Sequence, residues 1–343
     1  MTPRETLLTM LSYRRPAGSK AERKFIRRFL EPLGCKPDGY GNMILRIGTA
    51  PILWSSHTDT VHSQGGRQAI VVTPDNVARA GVHNCLGADC TTGVWLMTEM
   101  IKDGVEGLYV FHREEEVGGN GSEYIRTKTP ELLADIQYAI AFDRYGDSSI
   151  ITHQWGGRSA SQSFAYSLAD VLGWSGLDFK PDSGGTFTDT ANYVDVIPEC
   201  SNISVGYYGQ HTKRESQDLE FADRLLETIL GADFTRLVAD RTPAKASYYD
   251  DDAWDTGKPY GWRTEFRSGY DYGATGSPYD FDYRNEVLER ANAKDNSYDA
   301  LLALIKKHPD AVAAYLDDLG LADANDIRNY IDAGYDTVFK KVS

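Results

Sequence analysis

From Ala239 to Glu286 the chain contains no isoleucine, leucine, valine or methionine, although seven tyrosines fall there among aspartates and glycines. An interior forms by removing aliphatic surface from water, at roughly 25 cal/mol per Å². A segment without such side chains builds no aliphatic core. The chain therefore divides into a catalytic-sized domain over 1–235, a Tyr/Asp/Gly-rich linker or arm over 239–286, and a small α-helical appendage over 287–343. In the last part YDALLALIKKH, DAVAAYLDDLGL and ANDIRNYIDAGY return to amphipathic spacing, with Pro309 and Gly320 as breaks. These helices are expected to dock an unidentified partner or to self-associate.

Within 1–235, residues 4–33 have helical spacing interrupted at Pro16 and Gly18. Apolar strand-like runs follow: APILWSSHTDTV (50–61) ending at His57, GLYVFH (107–112), YAIAFD (138–143) and NISVGYY (202–208). Helical patterns over 91–102, over GNGSEYIRTK and over about 216–230 separate them. Strands alternating with helices predict an α/β fold, a mixed and mostly parallel sheet sandwiched by helices.

Fifty acidic against 36 basic residues leave a net charge of −14, which repels nucleic acid and anionic membrane alike. Neither is expected as a partner. Four cysteines without a CxxC pair read as reduced thiols. The N-terminal MTPRETLLTMLSYRRPAG lacks the apolar core of a signal peptide. A cytoplasmic location is the expectation.

Five polar segments lie at the ends of predicted strands or at the start of a helix. SSHTDTV places His57 two residues before Asp59, an imidazole ligand with a carboxylate able to orient it. LGADCTTGV places Asp89 where a loop enters a helix, and a carboxylate there either caps the helix or bridges two cations. VFHREEEVGGNG sets Glu114, Glu115 and Glu116 directly after an apolar strand, followed by glycines that permit a tight turn. Adjacent carboxylates suit a metal ligand beside a general base. AIAFDRYG ends a strand on Asp143, and SVGYYGQHTKRE places His211 after another. Sheet edges of this kind are where α/β folds form ligand sites.

In this order the segments resemble the motifs of the co-catalytic zinc exopeptidases, a superfamily that includes bacterial leucyl aminopeptidases, tripeptidase T and the glutamate carboxypeptidases. LGADCTTGV resembles its GADDKAGV and EEEVGGNG its DEEVGxG, over roughly residues 1–232. The resemblance implies two Zn2+ per chain: one held by His57 and Asp143, the other by Glu116 and His211, with Asp89 bridging. It implies Glu115 as the catalytic base and Asp59 as the group that holds His57. Glu215, in HTKRE, takes the acidic place of the family's HTxxD, and Asp189 in TFTDTANY stands as a further supporting carboxylate. Cys90 departs from the family, which often has Asp there, and reads as a packed thiol. Tyr207, Tyr208 and His153 are candidate oxyanion donors.

The gaps 60–88 and 144–210 leave no room for a lid insertion, which places the chain beside the single-domain aminopeptidases. The expected activity is metal-dependent hydrolysis of a peptide bond, as a zinc metallopeptidase of the aminopeptidase kind. Two alternatives stay open: a deacylase or amidase acting on an N-acyl amino acid with the same metals, and a metal-free binding module derived from the same fold. HExxH is absent, so a thermolysin-like site is not expected.

Overall fold

The computed structural model describes residues 1–81 and 84–243; the arm from residue 244 on and the helical module over 287–343 lie outside the described residues. An eight-stranded sheet organises the described part. Its strands are β1 (Lys36–Pro37), β2 (Met43–Ile47), β3 (Ile52–His57), β4 (Gly107–His112), β5 (Tyr138–Arg144), β6 (Ser149–Ile151), β7 (Lys180–Asp182) and β8 (Glu199–Ser204). They lie in the order β7-β6-β8-β5-β3-β4-β2-β1. The central four, β8, β5, β3 and β4, run parallel. The helices are α1 (Pro3–Leu11), α2 (Lys20–Phe29), α3 (Ala88–Asp103), α4 (Asn120–Lys128), α5 (Gln162–Gly173) and α6 (Leu219–Leu230). This is the mixed, mostly parallel α/β sheet that the alternating pattern predicts.

The continuous burial of β3 and β4 follows from cover on both faces. Side chains alternate along a strand, so each central strand feeds two cores. Trp54, Tyr109, Phe111, Ile140 and Phe142 join Phe25 of α2, Trp95 of α3, Phe164 of α5 and Leu225 of α6. Leu53, Leu108, Val110 and Ala139 face the other way, onto Ile125 of α4 and Tyr193. Each such side chain contributes about 1.5–3 kcal/mol on burial.

A buried Arg15 secures the exit of β3. Its Nε donates to the Thr58 carbonyl at 2.7 Å, another guanidinium nitrogen donates to Thr91 Oγ1 at 2.9 Å, and the group lies 4.0 Å over the Phe25 ring. Glu22 of α2 accepts from Thr58 Oγ1 at 2.7 Å. The residue next to His57 is thus fixed from two sides.

Two stretches differ from the sequence reading. NISVGYY is not one strand: β8 ends at Ser204, Gly206 takes a φ of +87°, and Tyr207–Tyr208 leaves for a second sheet. There it pairs with Ser216–Asp218, which pairs with Val77–Ala80, itself paired with Ile70–Val72. Residues 216–218 are therefore strand, and α6 starts only after Asp218, whose carboxylate caps it by accepting from Phe221 N at 3.0 Å. Within 60–88 the described residues thus include the hairpin of this small sheet and Gly66–Arg67, which pairs with Tyr13–Arg14. Segment 144–210 supplies β6, α5, β7 and β8.

Contacts with the body run past residue 235. Tyr138 Oη donates to the Leu237 carbonyl at 2.9 Å, and the Asp240 and Arg241 amides donate to the buried Glu199 carboxylate at 2.7 and 2.8 Å. No described helix is long and apolar enough to cross a membrane.

Candidate metal centre

The C-terminal ends of the parallel strands carry the predicted residues to one place. His57 is the last residue of β3, Asp143 the penultimate residue of β5, and Glu115 and Glu116 lie in the turn that follows β4. Asp89 is in the first turn of α3, with non-helical backbone angles and a cis peptide bond to Cys90. His211 follows Tyr207–Tyr208 in a loop with a φ of +61°.

Asp89 sits between two imidazoles. Its Oδ1 lies 3.1 Å from His57 Nε2 and its Oδ2 lies 3.2 Å from His211 Nε2. On the His57 side Asp143 Oδ1 is 3.4 Å from the same Nε2. On the His211 side Glu116 Oε2 is 3.2 Å from His211 Nε2. Glu115 approaches from the cavity, its Oε2 4.0 Å from His57 Nε2. All five ligand candidates and the candidate base therefore converge.

The supporting contacts fix orientation. His57 Nδ1 donates to the Asp59 carbonyl at 3.1 Å, which turns Nε2 toward Asp89 and Asp143. The Asp59 carboxylate, 3.4 Å from Nδ1, accepts from the Glu115 and Glu116 amides, both at 3.2 Å. It thus ties the His57 turn to the glutamate turn, a role broader than holding one imidazole. Glu215 accepts from the amides of Gly87, Ala88 and Asp89 at 2.8, 2.8 and 3.2 Å, anchoring the start of α3. Thr188 Oγ1 donates to Asp143 Oδ2 at 2.7 Å. Asn202 grips the Asp143 backbone at both ends, accepting from its amide at 2.9 Å and donating to its carbonyl at 2.8 Å.

The remaining candidates surround this centre. Asp189 stands behind the centre, its Oδ2 3.4 Å from His112 Nδ1, while His112 Nε2 lies 2.7 Å from Tyr193 Oη. Glu114 is engaged by Tyr40 Oη and Asn120 Nδ2. Cys90 is buried, and its thiol donates to the Phe142 carbonyl at 3.1 Å, yet its Sγ lies within 4.8 Å of ligand atoms of His57 and Asp143. Of the oxyanion candidates, Tyr207 lines the cavity beside the centre, a space of about 220 Å³. Its hydroxyl is 3.5 Å from Asp143 Oδ1.

The charges are arranged for cations. Burial pushes the Glu116 carboxyl up to about 7 and the Asp143 carboxyl up to about 6, with Asp89 adding to both. Burial, with Asp143, Asp189 and Glu116, also holds Glu115 well above the usual carboxylate range, against the pull of His57. Asp89 moves the other way: burial is outweighed by hydrogen bonds from His211 and His57. The contacts to Asp89 and Glu116 raise His211 to about 11. Glu116 Oε1 is buried without a hydrogen-bond partner among the described residues. Clustered carboxylates and an orphaned carboxylate oxygen beside two imidazoles form a donor set that fits divalent ions of the zinc type. Asp89, Glu116 and His211 offer ligand atoms within 4.8 Å of one another, as do His57, Glu115 and Glu116.

At the level of sequence, no family model and no curated protein matches this chain. The fold does match: solved structures of peptidases share this α/β fold. Aminopeptidase PepT of Bacillus cereus aligns with a TM-score of 0.56 at 14% identity, covering 66% of this chain and 96% of its own. A tripeptidase of Staphylococcus aureus aligns with 0.56 at 13% identity, covering 66% and 96%. The TET1 peptidase of Pyrococcus horikoshii, which can assemble into a tetrahedron or a large octahedral shell, aligns with 0.51 at 18% identity, covering 67% and 98%. Identities this low carry the fold and not the activity.

Proposed function

We propose that this chain is a zinc-dependent peptidase, an exopeptidase of the aminopeptidase type. The observation that carries the reading is Asp89, each of whose oxygens faces a different histidine. Asp143 stands beside one of these imidazoles and Glu116 beside the other. In this reading His57 and Asp143 hold one ion, Glu116 and His211 the second, and Asp89 bridges. When bound, the ions supply Lewis acidity toward the scissile carbonyl and lower the pKa of the attacking water.

The chain's own groups do the rest. Glu115 lies at the cavity and is not in the closest contacts of either imidazole, which supports it as the group that takes the proton of the attacking water. Its raised affinity for a proton suits it to hand that proton on to the leaving amine. Asp59 keeps Glu115 and Glu116 in register through their amides. Tyr207 lines the cavity where a developing oxyanion would need a donor. The amino-terminal preference rests on the aminopeptidase PepT, which shares the fold.

Elemental analysis after zinc reconstitution should give more than one metal per chain. Glu115→Gln should cut turnover about 10²- to 10⁴-fold while metal content and folding stay near wild type. Wild-type turnover in that variant would remove Glu115 from the role. Faster cleavage of N-acetylated peptides than of free peptides would replace the aminopeptidase with the deacylase.

A further inference from the structure

The cavity beside the candidate metals is not walled by carboxylates alone. Arg144, the residue after Asp143 and the last of β5, lines it together with Asp89, Glu115 and Asp143. It is 8% exposed. One terminal nitrogen donates to the Gly184 carbonyl at 3.1 Å, and lies 3.4 Å from both Asp182 Oδ2 and Tyr145 Oη. The guanidinium carbon sits 4.1 Å over the Tyr145 ring. Its Nε is buried with no hydrogen-bond partner among the described residues.

This guanidinium is incompletely satisfied. Its ion pair with Asp182 is long, and Asp182 is better served elsewhere, accepting from Ser149 Oγ and from the Gly184 amide, both at 2.7 Å. A buried cation with an unmet donor costs free energy until an anion completes it. Balancing the acidic centre is the plain alternative role, but the ion pair that Arg144 makes among the described residues is with Asp182 and not with Asp89, Glu115 or Asp143. A guanidinium fork matches a carboxylate better than any other anion a peptide carries.

Resting on the peptidase reading above, we infer that Arg144 is a specificity-determining residue that receives a carboxylate of the substrate in the cavity beside the metals. Two sources share that chemistry: an acidic side chain on the residue being released, or the free terminal carboxylate of a short peptide.

Four dipeptides separate them: Glu-Gly amide against Gln-Gly amide for the side chain, and Leu-Gly against Leu-Gly amide for the terminus. With zinc-loaded full-length protein, one member of one pair, the carboxylate, should be preferred in kcat/KM by about 10- to 100-fold, the range of a charge-assisted hydrogen-bonded contact. Arg144→Met should remove that preference while leaving the neutral partner within a few-fold, with metal content unchanged. Arg144→Lys should restore part of it. No preference in either pair for wild-type protein overturns the inference, and so does an equal loss on charged and neutral members in Arg144→Met. If none of the four is hydrolysed, the peptidase reading falls, and the same compounds serve as ligands in calorimetry. Tighter binding of a carboxylate member that Arg144→Met abolishes then upholds the Arg144 site on its own, and equal binding of both members overturns it.

Discussion

The two halves of the candidate centre are built from unlike material. On one side His57 and Asp143 end adjacent parallel strands, and the His57 side chain is 1% exposed. Its neighbour Thr58 is fixed by Arg15 and Glu22. On the other side His211 stands in a loop with a positive φ and a side chain 48% exposed. It is matched there with Glu116 from a glycine-rich turn. Buried strand ends have no alternative geometry available without breaking the core, whereas a loop histidine can leave and return. The difference teaches that, in the proposed centre, one ion position would be preorganised by the fold and the other completed by a loop.

The largest effects should fall on the buried half. In metal-free protein His57→Ala leaves Asp89 and Asp143 without their shared partner in the interior, and should cost about 1–3 kcal/mol by denaturant melts. His211→Ala should cost less in the same melt, because solvent at its half-exposed side chain screens the pairing with Asp89 and Glu116. Its effect should appear in zinc stoichiometry, which falls from two to one. Equal destabilisation by the two variants would break the comparison.

Metal removal should show the same asymmetry in time. Each ion at a hundredfold excess over its dissociation constant adds about 2.7 kcal/mol to the folded state. A chelator should withdraw one ion quickly, from the His211 side, and the other slowly, with a zinc indicator recording two phases. His211→Ala should delete the fast phase. A single phase in wild-type protein would mean that the halves are coupled and that exposure does not set exchange.

The same contrast explains what could be read from the sequence. β3, β4 and β5 are legible because each is an apolar run covered on both faces and each ends in, or leads directly to, a polar residue of the centre. The candidate ligands and Glu115 are legible on that basis and through the motif order. The small sheet was not legible, since strands of two to four residues such as Tyr207–Tyr208 and Val77–Ala80 carry too little periodicity. The wider role of Asp59 was hidden because it acts through the amides of residues distant in sequence. Glu114 looks like a site residue in sequence, but its left-handed backbone and its contacts with Tyr40 and Asn120 take it elsewhere. Arg144 went unread, although a charged residue closing an apolar strand directly after a candidate ligand was its signal.

The smallest expected effect concerns Cys90, and it sharpens what the buried half is made of. The thiol lies near His57 and Asp143, so geometry alone admits a sulfur ligand on that side. Its chemistry argues otherwise. Burial, reinforced by Asp143, pushes the thiol well above its ordinary range, and its proton is already directed at the Phe142 carbonyl. A metal ligand must be the thiolate, and forming it here would leave that carbonyl without its donor. Serine keeps a donor of similar reach at the same place, so Cys90→Ser should change stability by about 1 kcal/mol or less and leave zinc stoichiometry at two. Cobalt substitution reads the point directly. Wild-type protein loaded with cobalt should lack an intense sulfur-to-cobalt charge-transfer band in the near ultraviolet, and its spectrum should match that of Cys90→Ser. A band present in the wild type and absent from the variant would make Cys90 a ligand, and would turn the difference between the two halves from one of exposure into one of ligand chemistry.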